Sequence, residues 1–348
     1  MNHTTRNTLT ARLVPLLLAL ALVCGAATAQ TPLNLLIWSE YIDPAIVDAF
    51  EEEFDARVVI DTFESNEDAL AKIEAGGLGL YDVVVPSNYI IPTFIELGLL
   101  QELDKEIVIN LDNLLDTFAD PPYDPGNTYT AAYQWGTTGI AYRSDRVDAP
   151  TSWGALFADP DAPLALLDDM RPMIGSALLY LGYDYNSEDR DELVEARDLL
   201  VDTKNRSLGF YGSPAARNLL LTGDATYAVI YSGEALGANV DNELIDYVIP
   251  EEGAEVWVDS VAVVADAPNP ELANEFINYI LRPEVGAQLT NYITYASPNA
   301  AALPMVDEEL RDNEIVFPSD ETRERLVFTQ QVDNLELYDL VWTQIKAR

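Results

Sequence analysis

The chain has 348 residues, of which 49% are hydrophobic and 22% charged, with a single histidine and a single cysteine. This length exceeds that of one typical domain and favours two, each with enough apolar residues for a core. The formal net charge of −40, from 59 acidic and 19 basic residues, excludes a surface for nucleic acid or anionic lipid, because both would be repelled.

Residues 1–29 have the pattern of a secretory signal. Arg6 and Arg12 are positive, the run Leu13–Val23 is apolar, and Ala27–Ala29 has the small-x-small form of a cleavage site. The apolar run is shorter than the roughly 20 residues that span a bilayer. We therefore expect export to the periplasm or another extracytoplasmic location, without insertion of the mature chain into the membrane.

Cleavage of this segment removes the sole histidine, His3, and the sole cysteine, Cys24. The mature chain then has no histidine or cysteine for a nucleophilic triad, a Cys/His zinc site or a disulfide. We expect a protein that is not an enzyme and has no cofactor and no metal. Two alternatives stay open: a lipid anchor at Cys24, and hydrolysis by a pair of carboxylates.

The first predicted elements alternate between strands and helices. Apolar spacing, caps and glycines predict strands at Leu33–Trp38, Arg57–Phe63 and Tyr81–Pro86, with helices at Pro44–Phe54 and Asn66–Ala75. This order predicts a mostly parallel sheet covered by helices. In such sheets ligands bind beyond the carboxyl ends of the strands.

The second half of the chain continues the mixed pattern. We predict strands at Tyr227–Tyr231 and Trp257–Val264, and helices at Arg190–Asp202, Glu271–Leu281 and Glu321–Lys346. No long linker separates two halves of the sequence. Two lobes without a linker indicate that the chain crosses between them more than once.

Four predicted strand ends share the same two residue types, aromatic and acidic. They contain Trp38 with Glu40 and Tyr41, the pair Asp168 and Asp169, Tyr231 with Glu234, and Trp257 with Asp259. Aromatic faces attract cations, and carboxylates form charge-assisted hydrogen bonds with ammonium groups. The pattern therefore predicts a site for an elongated aliphatic ligand with a positive charge at each end.

The same sequence resembles the periplasmic spermidine/putrescine-binding proteins of ABC transporters along essentially the whole mature chain. The resemblance lies in six stretches: Ile37-Trp38-Ser39-Glu40-Tyr41, Glu64-Ser65-Asn66-Glu67, Tyr81-Asp82-Val83-Val84-Val85-Pro86-Ser87, Gln134-Trp135-Gly136-Thr137-Thr138-Gly139-Ile140, Trp257-Val258-Asp259-Ser260 and Leu281-Arg282-Pro283-Glu284-Val285.

This resemblance implies an α/β fold, the two-lobed periplasmic binding protein clamshell of type II, with a mostly parallel sheet flanked by helices in each lobe. Lobe 1 would contain residues 30–137 plus 260–306, and lobe 2 residues 138–259 plus 307–348. The implied ligand-binding residues are Trp38, Ser39, Glu40, Tyr41, Ser87, Tyr89, Asp169, Tyr231, Glu234, Trp257 and Asp259.

The chain departs from the family pattern at two places. Members that bind spermidine have an acidic residue three positions after the site aspartate, where this chain has Pro172. They also have a glutamine near the start of the last helix, a role for which Gln330 and Gln331 are candidates. The missing acid favours putrescine over spermidine, because an additional buried ammonium would have no partner.

We therefore expect a monomeric polyamine-binding protein that closes around putrescine or spermidine and delivers it to the membrane permease of an ABC transporter. Its affinity should be flat from about pH 6 to 8, between the ordinary pKa values of carboxylates and amines. A binding protein for another organic cation or amino compound is the alternative within the same class.

Overall fold

The computed structural model describes residues 30–158 and 162–347, so the predicted signal segment and Cys24 lie outside the described residues. Within this part of the chain, ten strands form one sheet. The strands are β1 (Thr31–Trp38), β2 (Ala56–Phe63), β3 (Val83–Val84), β4 (Thr130–Arg143), β5 (Leu164–Leu167), β6 (Gly209–Tyr211), β7 (Tyr227–Tyr231), β8 (Ile245–Val248), β9 (Ala254–Val263) and β10 (Leu326–Phe328).

Helices cover the sheet, and local sequence signals explain where several of them begin. The first helix starts at Pro44 after Asp43, whose carboxylate accepts a 2.8 Å hydrogen bond from the Ala45 amide. The helices are α1 (Pro44–Phe54), α2 (Asn66–Lys72), α3 (Ile91–Glu96), α4 (Asp116–Ala119), α5 (Gly154–Phe157), α6 (Met170–Leu181), α7 (Arg190–Arg206), α8 (Ser213–Thr222), α9 (Ser232–Asp241), α10 (Pro270–Ile280), α11 (Pro283–Ile293), α12 (Glu308–Arg311), α13 (Asp320–Arg323) and α14 (Leu335–Ala347).

The strand order is β2-β1-β3-β9-β4-β7-β5-β6, with β10 paired to β9 and β8 paired to β4. The outer strands are parallel as predicted: β1 with β2 and β3, and β5 with β6 and β7. The long central strands β4 and β9 run antiparallel to each other and to β7 and β3, so the complete sheet is mixed.

Strand β9 changes partners along its length. Its Ala262 and Val263 pair with β3, whereas Ala254–Val256 pair with β10 near the end of the chain. Strand β4 likewise changes partners along its length. Its residues Thr130–Thr138 pair with β9, and its residues Thr138–Tyr142 pair with β7. We propose that these two strands connect the lobes, as in the division of the chain predicted from the sequence.

Two large apolar cores lie on either side of these central strands. In the first, Phe50 and Phe276 from α1 and α10 pack with Leu35 of β1. In the second, Leu166 of β5 packs with α7 and with Tyr338 of α14. Among the described residues, no helix combines the length and the apolar character that crossing a bilayer demands.

The prediction of one continuous helix at Glu321–Lys346 is wrong. The segment contains the short helix α13, the strand β10 and the helix α14. The residues Leu326–Phe328 are apolar and two of them are β-branched or aromatic, and they add a parallel strand to β9. Pairing with a distant strand therefore overrides the helical pattern.

Candidate functional site

A cavity of about 70 Å³ lies where the carboxyl ends of β1, β5 and β7 meet the middle of β9. The residues that line it come from both predicted lobes. They are Trp38, Ser39, Tyr41, Glu64, Asn66, Ser87, Tyr89, Leu167, Asp168, Asp169, Gly212, Ser213, Pro214, Tyr231, Glu234, Glu255, Trp257, Asp259 and Tyr295.

One wall of the cavity is a series of aromatic rings in edge-to-face contact. Trp257 contacts Tyr231 and Tyr295, with ring centroids 5.7 and 5.1 Å apart, and Tyr295 contacts Tyr41 at 5.5 Å. The indole nitrogens of Trp38 and Trp257 and the hydroxyl of Tyr41 are buried without a hydrogen-bond partner in the described part of the chain. The wall therefore presents aromatic π faces together with polar atoms that have no hydrogen-bond partner among the described residues.

Asp259 lies on β9 beside this wall and is buried, with 4% of its surface exposed. The Ser87 hydroxyl donates a 2.6 Å hydrogen bond to its Oδ1, and the Asn66 side chain in turn donates to Ser87. Burial raises the pKa of Asp259 to about 7, despite the opposing effect of the Ser87 hydrogen bond. A second carboxylate, Asp169, directly precedes α6 and lies two positions after the end of β5, and burial together with the nearby Glu255 raises its pKa to about 8.

Glu234 lies in the first turn of α9, directly after β7. Its Oε2 accepts hydrogen bonds from the hydroxyl of Tyr295 and, at 3.2 Å, from Ser213. Since Tyr295 belongs to predicted lobe 1 and Glu234 to predicted lobe 2, this pair joins the two sides of the cavity. Burial raises the pKa of Glu234.

The prediction from sequence missed Glu255, which is as buried as Asp259. Its carboxylate accepts hydrogen bonds from Thr138 at 2.6 Å and from Thr329, and burial raises its pKa. Thr138 and Thr329 are distant in sequence, so no local pattern marks the site. Tyr295, Asn66 and Glu64 also line the cavity without having been predicted; Glu64 and Asn66 lie in a stretch that the family resemblance did include.

All but one of the predicted site residues line this cavity, and the exception is Glu40. Glu40 lies at the mouth, where its carboxylate is 3.7 Å from the guanidinium of Arg217 and remains exposed. Gln330 and Gln331 are also absent from the lining, because both lie before α14 with exposed side chains. The ligand contacts of the predicted residues stay a prediction.

The charged residues in the described lining of the cavity are all acidic. The lining contains six carboxylate residues and, among the residues that the structure describes, no lysine, arginine or histidine. One of the six, Asp168, is paired with the ammonium of Lys346 at 2.5 Å. No cluster of three potential metal ligands occurs in the described ranges. Buried carboxylates with aromatic neighbours and no basic residue form a site suited to an organic cation.

Comparison with known proteins agrees with this chemistry. Residues 45–318 match the family model of the bacterial extracellular solute-binding proteins. The chain is 36% identical to a putrescine/agmatine-binding protein of Pseudomonas aeruginosa, covering 93% of this chain and 94% of that protein. It is 35% identical to a spermidine/putrescine-binding periplasmic protein of Escherichia coli, covering 88% of each.

The fold is also similar to solved structures. A spermidine/putrescine ABC transporter substrate-binding protein of Streptococcus pneumoniae superposes with a TM-score of 0.76 at 31% identity, covering 91% of this chain and 99% of that one. The predicted two-lobed α/β fold of periplasmic binding proteins is thereby confirmed.

Proposed function

Because this chain belongs to the bacterial extracellular solute-binding protein family, we propose that it binds a polyamine, putrescine or spermidine, and delivers it to the permease of an ABC importer. The protein acts outside the cytoplasm after its signal segment is removed. It works as a monomer without cofactor or metal, and it catalyses no reaction. Its relatives named above are binding proteins, which supports this assignment.

The observation on which the proposal rests is a cavity with aromatic walls in which every charged residue of the described lining is acidic. An aromatic face contributes about 0.5–2 kcal/mol to the binding of a desolvated cation. Asp169, Glu234 and Asp259 provide carboxylates for ammonium groups at separate points of the lining. A neutral sugar or an anion would leave these carboxylates buried and unpaired, which is unfavourable.

The position of the lining residues supports a closure mechanism. Trp38, Tyr41 and Ser87 belong to predicted lobe 1, whereas Asp169 and Tyr231 belong to predicted lobe 2. A ligand that contacts both sets stabilises the closed arrangement relative to the open one, because only the closed state makes all of the contacts. The closed, loaded form is the one that the permease receives.

A thermal-shift screen with polyamines, betaines, amino acids and sugars tests the proposal. Ligand at 100 times its dissociation constant stabilises by about 2.7 kcal/mol, and only polyamines should raise the melting temperature. Asp259→Asn should abolish most of the shift. The control variant Glu53→Gln changes a surface residue that pairs with Arg282 outside the cavity lining, and it should retain the shift. A shift with sugars or amino acids alone, or an unchanged polyamine shift in Asp259→Asn, would refute polyamine binding.

A further inference from the structure

Three residues that line the cavity lie at alternate positions of strand β9. They are Glu255, Trp257 and Asp259. Side chains two positions apart on a strand project to the same face, and a separation of four positions places the Cα atoms of Glu255 and Asp259 about 13 Å apart. The pairing with β4 is regular along this stretch, from Glu255 opposite Thr138 to Asp259 opposite Gln134. The strand therefore presents an acid, an aromatic ring and a second acid in one row.

The carboxylate of Glu255 is held in place by hydroxyl groups. Thr138 donates a 2.6 Å hydrogen bond to Oε2, and Thr329 donates a hydrogen bond to Oε1. These donors orient the carboxylate but supply no positive charge, and burial raises its pKa. A buried carboxylate is unfavourable when its hydrogen-bond donors are neutral, so an ammonium group in the cavity would stabilise the ionised form of Glu255.

Asp169 is connected to the middle of this row. The Tyr231 hydroxyl donates a 2.7 Å hydrogen bond to Oδ2 of Asp169, and the centre of the Tyr231 ring is 5.7 Å from that of Trp257. Oδ1 of Asp169 is buried without a hydrogen-bond partner in the described part of the chain, and the residue has 8% of its surface exposed. An unpartnered carboxylate oxygen in the lining of a cavity indicates a cationic ligand at this point.

The surroundings of Glu255 remain negative when the buried guanidinium of Arg171 is included. Arg171 lowers the pKa values of Glu67 and Glu255 against the effect of burial. Glu67 and Glu255 in turn raise the pKa of Asp169, so three carboxyl groups share the surroundings of one guanidinium. The hydrogen bonds of Arg171 go to two neutral oxygens, a backbone carbonyl and an amide. With its acids ionised this group has more negative than positive charge, which favours a cation in the adjoining cavity.

We propose that Glu255 binds the third ammonium group of a triamine such as spermidine. One terminal ammonium pairs with Asp259, and the secondary ammonium lies against Trp257 and pairs with Asp169. The other terminal ammonium reaches Glu255. An extended chain advances about 1.2 Å per bond, so the terminal nitrogens are about 11 Å apart in spermidine and about 6 Å apart in putrescine; the longer ligand matches the row on β9. The inference rests on the proposed function, names triamines as the subclass of polyamine, and reverses the preference for putrescine predicted from Pro172.

Titration calorimetry of spermidine and putrescine tests the inference. The wild type should bind spermidine at least as tightly as putrescine. Glu255→Gln keeps the size of the side chain and removes its charge, so it should weaken spermidine binding at least tenfold and putrescine binding less than threefold. The matched control Glu67→Gln removes a charge from the same group of acids at a residue outside the cavity lining. It should change the ratio of the two affinities less than threefold.

A purely structural role of Glu255 gives a different result. If Glu255 does no more than anchor Thr329 to β9, Glu255→Gln weakens both ligands by the same factor or neither of them, and the inference is overturned. A third ligand keeps the inference testable if this variant does not fold. N-propylputrescine has nearly the length of spermidine but lacks the terminal ammonium of the shorter arm, so the wild type should bind it at least tenfold more weakly than spermidine.

The outcomes for the wild type separate the inference from the proposed function. Equal affinities for spermidine and N-propylputrescine, or weaker binding of spermidine than of putrescine, overturn the role of Glu255 while the proposed function stands. Binding of neither spermidine nor putrescine refutes the proposed function and the inference with it.

Discussion

The hydroxyl of Tyr231 donates a 2.7 Å hydrogen bond to Oδ2 of Asp169, whereas Oδ1 of the same carboxyl group is buried and has no hydrogen-bond partner among the described residues. A buried carboxylate with an unused oxygen is unfavourable, and the group responds by holding a proton near neutral pH. An ammonium ligand would supply the missing partner. The surroundings of Asp169 therefore favour a bound cation and are unfavourable for an ionised Asp169 in the ligand-free protein.

Replacement of Asp169 by asparagine should separate binding from stability. Asp169→Asn removes the ammonium partner and should weaken putrescine binding at least tenfold, or about 1.4 kcal/mol. The melting temperature of the ligand-free protein should stay the same or rise, because an amide is neutral at every pH, whereas Asp169 must hold a proton to avoid burying a charge. Calorimetry and thermal denaturation measure the two effects. Asp168→Asn is the comparison, since Lys346 already occupies that carboxylate, and a larger loss there would assign the ligand contact to Asp168.

The stability of the ligand-free protein should depend on pH through Asp169. Its folded-state pKa is raised to about 8, against about 3.9 in an unfolded chain. The folded state therefore holds a proton that the unfolded state has lost, and the associated stability declines as pH rises from about 4 to 8. Urea unfolding at pH 5, 6.5 and 8 should show a steeper decline in the wild type than in Asp169→Asn. Parallel profiles would contradict the raised pKa.

Ligand binding near neutral pH should release protons. With Asp169 near pKa 8 and Asp259 near 7, both are partly protonated at pH 7 and ionise when ammonium groups arrive. About one proton should be released per diamine, and the affinity should rise between pH 6 and 8. This revises the flat profile expected from ordinary pKa values. Calorimetry in phosphate and in Tris, which differ in ionisation enthalpy, counts the protons; the same apparent enthalpy in both buffers would rule out the release.

Gly136 provides space for the indole ring of Trp257. A Cβ at residue 136 would lie 2.6 Å from Cζ2 of Trp257 and 2.9 Å from the Ser232 hydroxyl. Gly136→Ala should therefore displace the aromatic wall, weakening diamine binding at least tenfold and lowering the melting temperature. Gly286→Ala, in helix α11 with its nearest neighbour at 3.4 Å, should leave affinity intact and slightly increase stability. Equal behaviour of the two variants in calorimetry would argue against close packing at Gly136.

Glu40 lies at the mouth of the cavity and not in its interior. Its ion pair with Arg217 is exposed, and such pairs contribute about 0–1 kcal/mol. Glu40→Gln should therefore change the dissociation constant for putrescine less than threefold. A tenfold loss, measured by the same calorimetry, would restore the direct ligand contact that the sequence predicts for Glu40.

The sequence correctly predicts elements and cavity-lining residues where the residues that carry the signal are neighbours in the chain. The strand at Tyr227–Tyr231 and the helix at Pro44–Phe54 have the predicted bounds. Trp38, Asp169 and Glu234 each follow or end a strand, so the rule for carboxyl ends of strands places them at the cavity. In these cases a strand, its end and the polar residue are neighbours in the chain, and the pattern contains all the information required.

The remainder depends on contacts between distant segments. Strand β4 is almost entirely buried, so it lacks the alternation that marks a half-exposed strand. Glu255 resembles an ordinary surface acid until Thr138 and Thr329 surround it. Glu40 is adjacent to true lining residues but has a left-handed backbone, with φ of 55°, and lies at the mouth. A local sequence pattern does not contain these distant contacts or the backbone conformation of Glu40.

The pairing of β9 with both β3 and β10 joins segments that are far apart in the sequence. The Asn88 amide donates a 2.6 Å hydrogen bond to the Thr329 carbonyl across 241 positions, and Thr329 also binds Glu255. Contacts of such long sequence separation form slowly, because a large loop must close first. We therefore expect the cavity to be completed late in folding. A ligand that binds only the finished cavity slows unfolding and leaves the folding rate almost unchanged.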